Sequence, residues 1–286
     1  MKRSPQESQA YLDELVKQHS QSFSGQFSLS LYDFSTAFSY HYQANKPIYP
    51  ASVIKLPLLI AALKEVEKGQ LDLTQRYSLE SEAQVSGSGV LYRLDAKLQP
   101  SLKDLLTLMI IVSDNTATNM LIDIVGISRV NQLFVSLELQ QSRLVAKLQL
   151  PKEKFNEAQK RGERNLMSAQ DTLFLLVKLA KGELLNQALS ELAITILKQQ
   201  QLTEALARYL PTDKELYPNH LEIASKSGCV RGIWHDAALI YHQDKPYYAL
   251  VIFSHEASDK SYSWEQEGMM TIARLSRAIY QELFAL

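Results

Sequence analysis

The sequence predicts an α/β fold of the α+β type: an antiparallel sheet of about five strands built from both chain ends, flanked by terminal helices, with an all-helical second lobe. Two strand-like runs lie near the start, at Phe27–Asp33 and Ala37–Tyr42. Three more follow late, at Glu222–Val230, Ala237–Tyr241 and Tyr247–Ser254. The late runs are joined by short connections, which permit antiparallel but not parallel neighbours. The long stretch between the two groups reads as helix, and the economical packing joins early and late strands into one sheet.

Each element has its own local reason. Ser4-Pro5 is a helix-opening pair, and Leu12, Leu15 and Val16 share one face of a helix that ends near His19. Phe27-Ser-Leu-Ser-Leu-Tyr-Asp alternates apolar and polar residues and turns at 33–36 into the second run, which makes a hairpin. Ala51 to about Lys68 is rich in Leu, Ala, Glu and Lys and is stopped by Gly69, so it is helical. Ser101–Val112 and Thr116–Val125 read as two helices broken at Ser113-Asp114-Asn115, residue types that favour caps over helix interiors. Another helix begins near Ser128. Residues 140–167 have no sustained period and many charges, and so form a long loop of the kind that usually carries function. Further helices are expected at Ser168–Leu179, Leu184–Gln199, Thr203–Tyr209 and about Glu265–Phe284. The expected organisation is a single unit over 1–286, with a sheet lobe of 1–48 plus 215–286 and a helical lobe of 49–214, and a site in the cleft between them.

Composition narrows the function. With 286 residues, 46% hydrophobic and 21% charged, the chain is an ordinary globular protein rather than a disordered or fibrous one. Its formal charge of −1 gives no field that would draw it to nucleic acid. The longest apolar runs, such as Leu105–Val112, are far shorter than the roughly 20 residues of a membrane span. One cysteine, Cys229, excludes an internal disulfide. The six histidines show no metal-binding spacing.

Three short motifs carry chemistry. Ser52-Val53-Ile54-Lys55 puts a hydroxyl and an amine one turn apart at a helix start, inside an otherwise apolar segment. A serine becomes a nucleophile when a neighbour takes its proton, and a lysine does so when burial lowers its pKa. The helix start also supplies N–H groups for a developing oxyanion. Read alone, the same residues fit a capping Ser and a snorkelling Lys. Ser113-Asp114-Asn115 fits either an interhelical turn or a proton relay with an amide-binding Asn. Lys226-Ser227-Gly228, on a strand, fits either an ordinary exposed Lys or a carboxylate-binding edge beside a close backbone approach.

Each motif occurs in this order, on helix start, turn and strand, and the set resembles that of class A β-lactamases and penicillin-binding proteins. The resemblance covers nearly the whole chain and includes the Ser86-Gly-Ser-Gly89 stretch and the terminal helix. It implies that Ser52 is the acylated nucleophile, Lys55 helps to deprotonate it, and Ser113 passes the proton to the leaving nitrogen. It implies that Lys226 and Ser227 hold the substrate carboxylate, that Asn115 binds the acylamide side chain, and that the backbone N–H groups of Ser52 and Cys229 form the oxyanion hole. No cofactor or metal is called for. The implied ligand is a β-lactam or a peptidoglycan peptide, handled by a monomer outside the cytoplasm, although no signal peptide is visible at Met1–Ser8.

The pattern departs from the family on the long loop. Class A enzymes carry Glu-x-x-Leu-Asn-Glu-Ala there, the glutamate activating the water that hydrolyses the acyl-enzyme. This chain reads Lys152-Glu153-Lys154-Phe155-Asn156-Glu157-Ala158, which puts Lys152 at the glutamate position. Asn156 would help to hold the water, and Glu153, one residue on, is the alternative base. The Arg–Asp pair that ties the family's loop falls at Leu150 and Asn165, which cannot form it. Three readings stay open: a serine β-lactamase with deacylation in question, a D,D-peptidase acting on D-alanyl-D-alanine ends, and a non-catalytic sensor.

Overall fold

The computed structural model describes residues 4–285. Helix α1, Pro5–Ser22, opens with a reciprocal capping box between Ser4 and Glu7 and buries Leu12, Leu15 and Val16. Strands β1, Gln26–Asp33, and β2, Ser39–Tyr42, form the early hairpin, and its turn is held by the Asp33 carboxylate accepting from Ser35 and Thr36. Strands β3, Leu221–Val230, β4, Ile233–His242, and β5, Lys245–His255, complete the sheet. The order is β2-β1-β5-β4-β3, every neighbour antiparallel. The sheet is therefore built from both chain ends, and β3 is an edge strand.

The sheet separates two apolar clusters. On one face Leu29, Leu31, Ile240, Leu250 and Ile252 pack against α1 and against α9, Glu267–Ile279. On the other face Ala237, Leu239, Val251 and Phe253 join the core of the helical region. That core surrounds α2, Lys55–Glu67, which is buried nearly all round. Leu56, Leu58, Leu59, Ile60 and Leu63 each lose at least 99% of their exposure there, and burial of such a side chain contributes about 1.5–3 kcal/mol. Around α2 lie α3, Leu102–Ile111, α4, Asn115–Val125, and α5, Ile127–Ser136. Helices α7, Ala169–Ala180, and α8, Gln187–Lys198, connect this region to the sheet face. Between α5 and α7 runs the long loop, interrupted only by a 3-10 turn at Lys152–Lys154 and by the four-residue α6, Glu157–Lys160.

Two local expectations change. Residues 203–209 form turns rather than a helix. The Leu206 N–H is taken by the buried Asp236 carboxylate at 3.0 Å, and Ala205, Leu206 and Leu210 pack into the cluster of the terminal helices. The segment starting at Ala51 begins as a 3-10 turn, Ala51–Ile54, and becomes α-helical only at Lys55.

Candidate active site

The 3-10 turn decides how Ser52 is presented. Ala51 has a left-handed φ of +46°, Pro50 stands at the cap position, and no side chain caps this turn. Ser52 is thus not a capping residue. It lines a cleft of about 390 Å³ together with Ser88, Asn115, Leu148, Gln149, Cys229 and Tyr262. The approach to the turn is held from below by His235 on β4. Its Nε2 donates to the Tyr49 carbonyl at 2.9 Å, which selects the Nε2–H tautomer. Burial pushes its pKa down to about 4, so the ring is neutral, and it packs on Phe253.

One turn on, Lys55 is fully buried. Its ammonium donates to the Ser113 carbonyl at 2.6 Å, the Ser113 hydroxyl at 3.0 Å and the Asn115 Oδ1 at 3.0 Å. Burial first, and then the Lys226 cation, hold its pKa well below the usual lysine range, while Asp114 and Cys229 act against that shift. A lysine in this state gives up its proton readily.

Ser113 and Asn115 are supplied by the α3–α4 junction. Ser113 is 3% exposed and adopts φ +54°, a conformation disfavoured for a residue with a Cβ. Strain of this kind persists only where surrounding structure enforces it. The enforcing group is Asp114, which caps α4 through Ala117 N–H and also accepts from the Val90 and Leu91 N–H groups at 2.6 and 2.8 Å. A Cβ on Gly89, at φ +94°, would fall 2.3 Å from Asp114, so only glycine permits this clasp. The Asn115 amide is engaged on both sides, accepting from Lys55 and donating to the Ser86 carbonyl at 3.2 Å.

The third wall is β3. Lys226 is fully buried, and its ammonium donates to the Ser227 carbonyl at 2.7 Å. Burial lowers its pKa to about 8, against the attraction of Asp236. Asp236 is itself pushed up to about 6 by burial. At Gly228 the strand meets the turn that carries Ser52, because an added Cβ would lie 2.7 Å from Ser52 N, 3.0 Å from Val53 N and 3.1 Å from Pro50 O. The next residue, Cys229, has an exposed thiol on the cleft wall.

Ser52, Lys55, Ser113, Asn115, Lys226, Ser227 and Cys229, which are distant in sequence, are thus brought together. The long-loop residues are placed differently. Lys152 and Glu153 lie on the exposed 3-10 turn, and neither lines the Ser52 cleft. Asn156 is exposed as well, where it caps α6 through Gln159 N–H and donates to the Val145 carbonyl at 2.9 Å. The loop residues at the cleft are Leu148 and Gln149. Leu148 is set there by Asn119, whose Oδ1 accepts from Leu148 N–H at 2.8 Å and whose Nδ2 donates to Leu148 O at 2.9 Å. Asn115 and Asn119 are four residues apart on one face of α4, so the same helix face holds both Lys55 and Leu148. Asn165 closes the loop in place of an ion pair. Its Oδ1 accepts from the Val145 and Ala146 N–H groups at 2.7 and 3.0 Å, and its Nδ2 donates to Ala146 O at 3.1 Å.

Residues 8–283 match the beta-lactamase enzyme family. The chain belongs to that family. Among solved structures it is similar to a beta-lactamase from Sphaerobacter thermophilus DSM 20745, with 26% identity over 96% of this chain and 97% of that one and a TM-score of 0.83. It is similar also to PBP-A, with 24% identity over 96% and 97% of the two chains and a TM-score of 0.79. A beta-lactamase from Chitinophaga pinensis DSM 2588 shares 23% identity over 94% and 98%, with a TM-score of 0.80. No curated protein matches the sequence. The fold is that of the β-lactamase-like serine hydrolases, penicillin-binding relatives included. Among the described residues no helix is long and apolar enough to cross a membrane. Asn119 and Leu148 are residues at this site that motif spacing missed, whereas His235, which follows the Lys-Ser-Gly strand and fits a surface or turn role by sequence, is fully buried beneath the Ser52 turn. Of the two, Asn119 gave a signal, lying one turn beyond Asn115 on the same helix.

Proposed function

We propose that this protein is a serine acyl-transfer hydrolase that forms a Ser52 ester with β-lactams and with D-alanyl-D-alanine peptides, and releases β-lactam products slowly. The supporting observation is a cleft lined by Ser52 and by Asn115, whose Oδ1 accepts from the buried Lys55 that also donates to Ser113, while no carboxylate lines it among the described residues. In the reaction, Ser52 Oγ attacks the carbonyl carbon and its proton passes to the neutral Lys55 amine. The resulting oxyanion is held by the N–H groups of Ser52 and Cys229, on the turn and strand that meet at Gly228. The C–N bond then breaks, Ser113 Oγ gives its proton to the leaving nitrogen, and Lys55 returns a proton to Ser113 along their 3.0 Å contact. The Lys226 cation and the Ser227 hydroxyl receive the substrate carboxylate.

Deacylation needs a base for water. In this cleft the loop offers the hydrocarbon of Leu148 and the neutral amide of Gln149, neither of which takes a proton. That favours the penicillin-binding reading over rapid β-lactam hydrolysis. A variant of PBP-A is itself known as an acyl-enzyme complex with penicillin G. The same reading has the chain act on peptidoglycan peptides outside the cytoplasm, as a monomer of two lobes, 1–48 plus 215–286 and 49–214, beside the cleft.

Intact-mass measurement after penicillin exposure tests the reading. A Ser52 adduct that persists for minutes is the expected result. No adduct would sink the nucleophile assignment, and one that clears within seconds would sink the slow-release part.

A further inference from the structure

A second cavity of about 360 Å³ lies beneath the long loop and shares Tyr49, Leu148 and Gln149 with the Ser52 cleft. Its remaining wall includes Phe155, Glu163 and Arg164. The charges in that wall do not cancel evenly. Lys147 is paired with Asp123 at 2.5 Å, and Glu163 is bracketed by Arg143 and Arg161. Arg164 has no ion pair or hydrogen bond among the described residues, yet its guanidinium is close enough to Tyr49 to draw down a phenol pKa that burial raises. Gln149, at the junction of the two spaces, adopts φ +54°, and its Cγ approaches within 3.5 Å of where a Gly87 side chain would begin. Its carboxamide likewise makes no hydrogen bond among the described residues.

We propose that this cavity is a subsite for the acyl side chain of the substrate, taking a short methylene chain that ends in a carboxylate, with Arg164 as the receptor for that anion. The proposal rests on the Ser52 acyl-enzyme reading and names the substrate class it serves. Phe155, Leu148 and Leu150 line a path for methylenes. A single unpaired guanidinium matches a single carboxylate in planar, two-point fashion. Tyr49, Leu148 and Gln149 border both spaces, so the proposal has one ligand span them, its reacting carbonyl at Ser52 and its side chain in the second cavity.

The test compares two penicillins that differ only at the side-chain end, adipoyl (terminal carboxylate) and hexanoyl (terminal methyl), by the second-order rate of adduct formation on the full chain. The adipoyl compound is expected to acylate about tenfold faster, as a charge-assisted contact predicts. Arg164→Gln should bring the ratio close to one, Arg164→Lys should keep part of it, and high salt should shrink it in the wild type. Equal rates in the wild type, or a ratio that survives Arg164→Gln, overturns the subsite. If neither compound acylates Ser52, the nucleophile reading has failed, and the cavity is judged separately by NMR titration with the monomethylamide of adipic acid. Binding that weakens about tenfold in Arg164→Gln then supports the subsite. No binding, or binding indifferent to Arg164, overturns it.

Discussion

Gly228→Ala isolates the contact on which the proposed oxyanion hole depends. The added methyl would sit 2.7 Å from Ser52 N, where ordinary contact begins at 3.4 Å, so β3 and the Ser52 turn must part by about 0.7 Å. The obstacle is backbone on all three near contacts, Ser52 N, Val53 N and Pro50 O, so no side chain can swing aside. An oxyanion-hole donor works at about 2.7–3.1 Å, and a retreat of that size removes most of its benefit. Loss of one donor corresponds to about 100- to 1,000-fold in rate. The fold should survive, because overpacking of this kind costs about 1–3 kcal/mol. The assay is adduct formation with benzylpenicillin by stopped flow, alongside a thermal melt that shows a cooperative transition. A folded Gly228→Ala protein that acylates within about fivefold of wild type would refute the placement of the hole at this junction.

Four further outcomes follow from the same geometry. Leu148→Glu puts a carboxylate on the cleft wall and should shorten the lifetime of the penicillin adduct by about tenfold or more, whereas Lys152→Glu, on the exposed turn, should leave it unchanged; equal effects of the two, read by adduct decay, would show that Leu148 does not face the ester. Acylation at limiting penicillin should fall as pH rises through about 8, because the Lys226 cation proposed to receive the substrate carboxylate is lost above its lowered pKa, and Lys226→Arg should push that limb upward; a flat profile from about pH 7 to 10 would count against Lys226 as the anion site. Stability moves the other way over the same range: between about 8 and the ordinary lysine value of 10.5 the unfolded chain holds the proton that the folded chain has shed, so this group makes unfolding harder as pH rises. Asn119→Leu leaves both the Leu148 N–H and C=O without their partner, a cost of about 2–5 kcal/mol, and hydrogen exchange at residues 144–150 should rise while the sheet stays protected; unchanged exchange would show that Asn119 does not hold the loop.

The parts of this site that were legible in the sequence are those where a residue type is tied to its neighbours in the chain. Ser-x-x-Lys marks a hydroxyl and an amine one turn apart whatever the fold, and Ser113-Asp114-Asn115 marks a helix break by local preference alone. The sheet was legible for a similar reason, since alternation and short connections specify antiparallel strands without reference to distant contacts. The long loop behaved differently because its register is a tertiary property. The Phe155-Asn156-Glu157-Ala158 stretch matched a family pattern by letters, but Asn156 there is a helix cap, and the loop enters the cleft at Leu148, four residues before Lys152. The deciding group is Asn119, whose amide clamps both backbone atoms of Leu148 from a helix far upstream. An extra or missing residue between 148 and 156 costs little in a surface loop, so spacing from a downstream motif carries no information about which side chain faces the Ser52 cleft. Ser113 shows the same limit from the other side. Its identity was visible, but its left-handed backbone was not, because that conformation is imposed by the Asp114 clasp on Val90 and Leu91 rather than by any preference of serine. The geometry of this cleft is therefore set by two clasps, the Asp114 carboxylate at the Ser113 turn and the Asn119 amide at the loop. On the proposed reading, changing the residue that Asn119 presents is the shortest route from slow release of the acyl group to fast release.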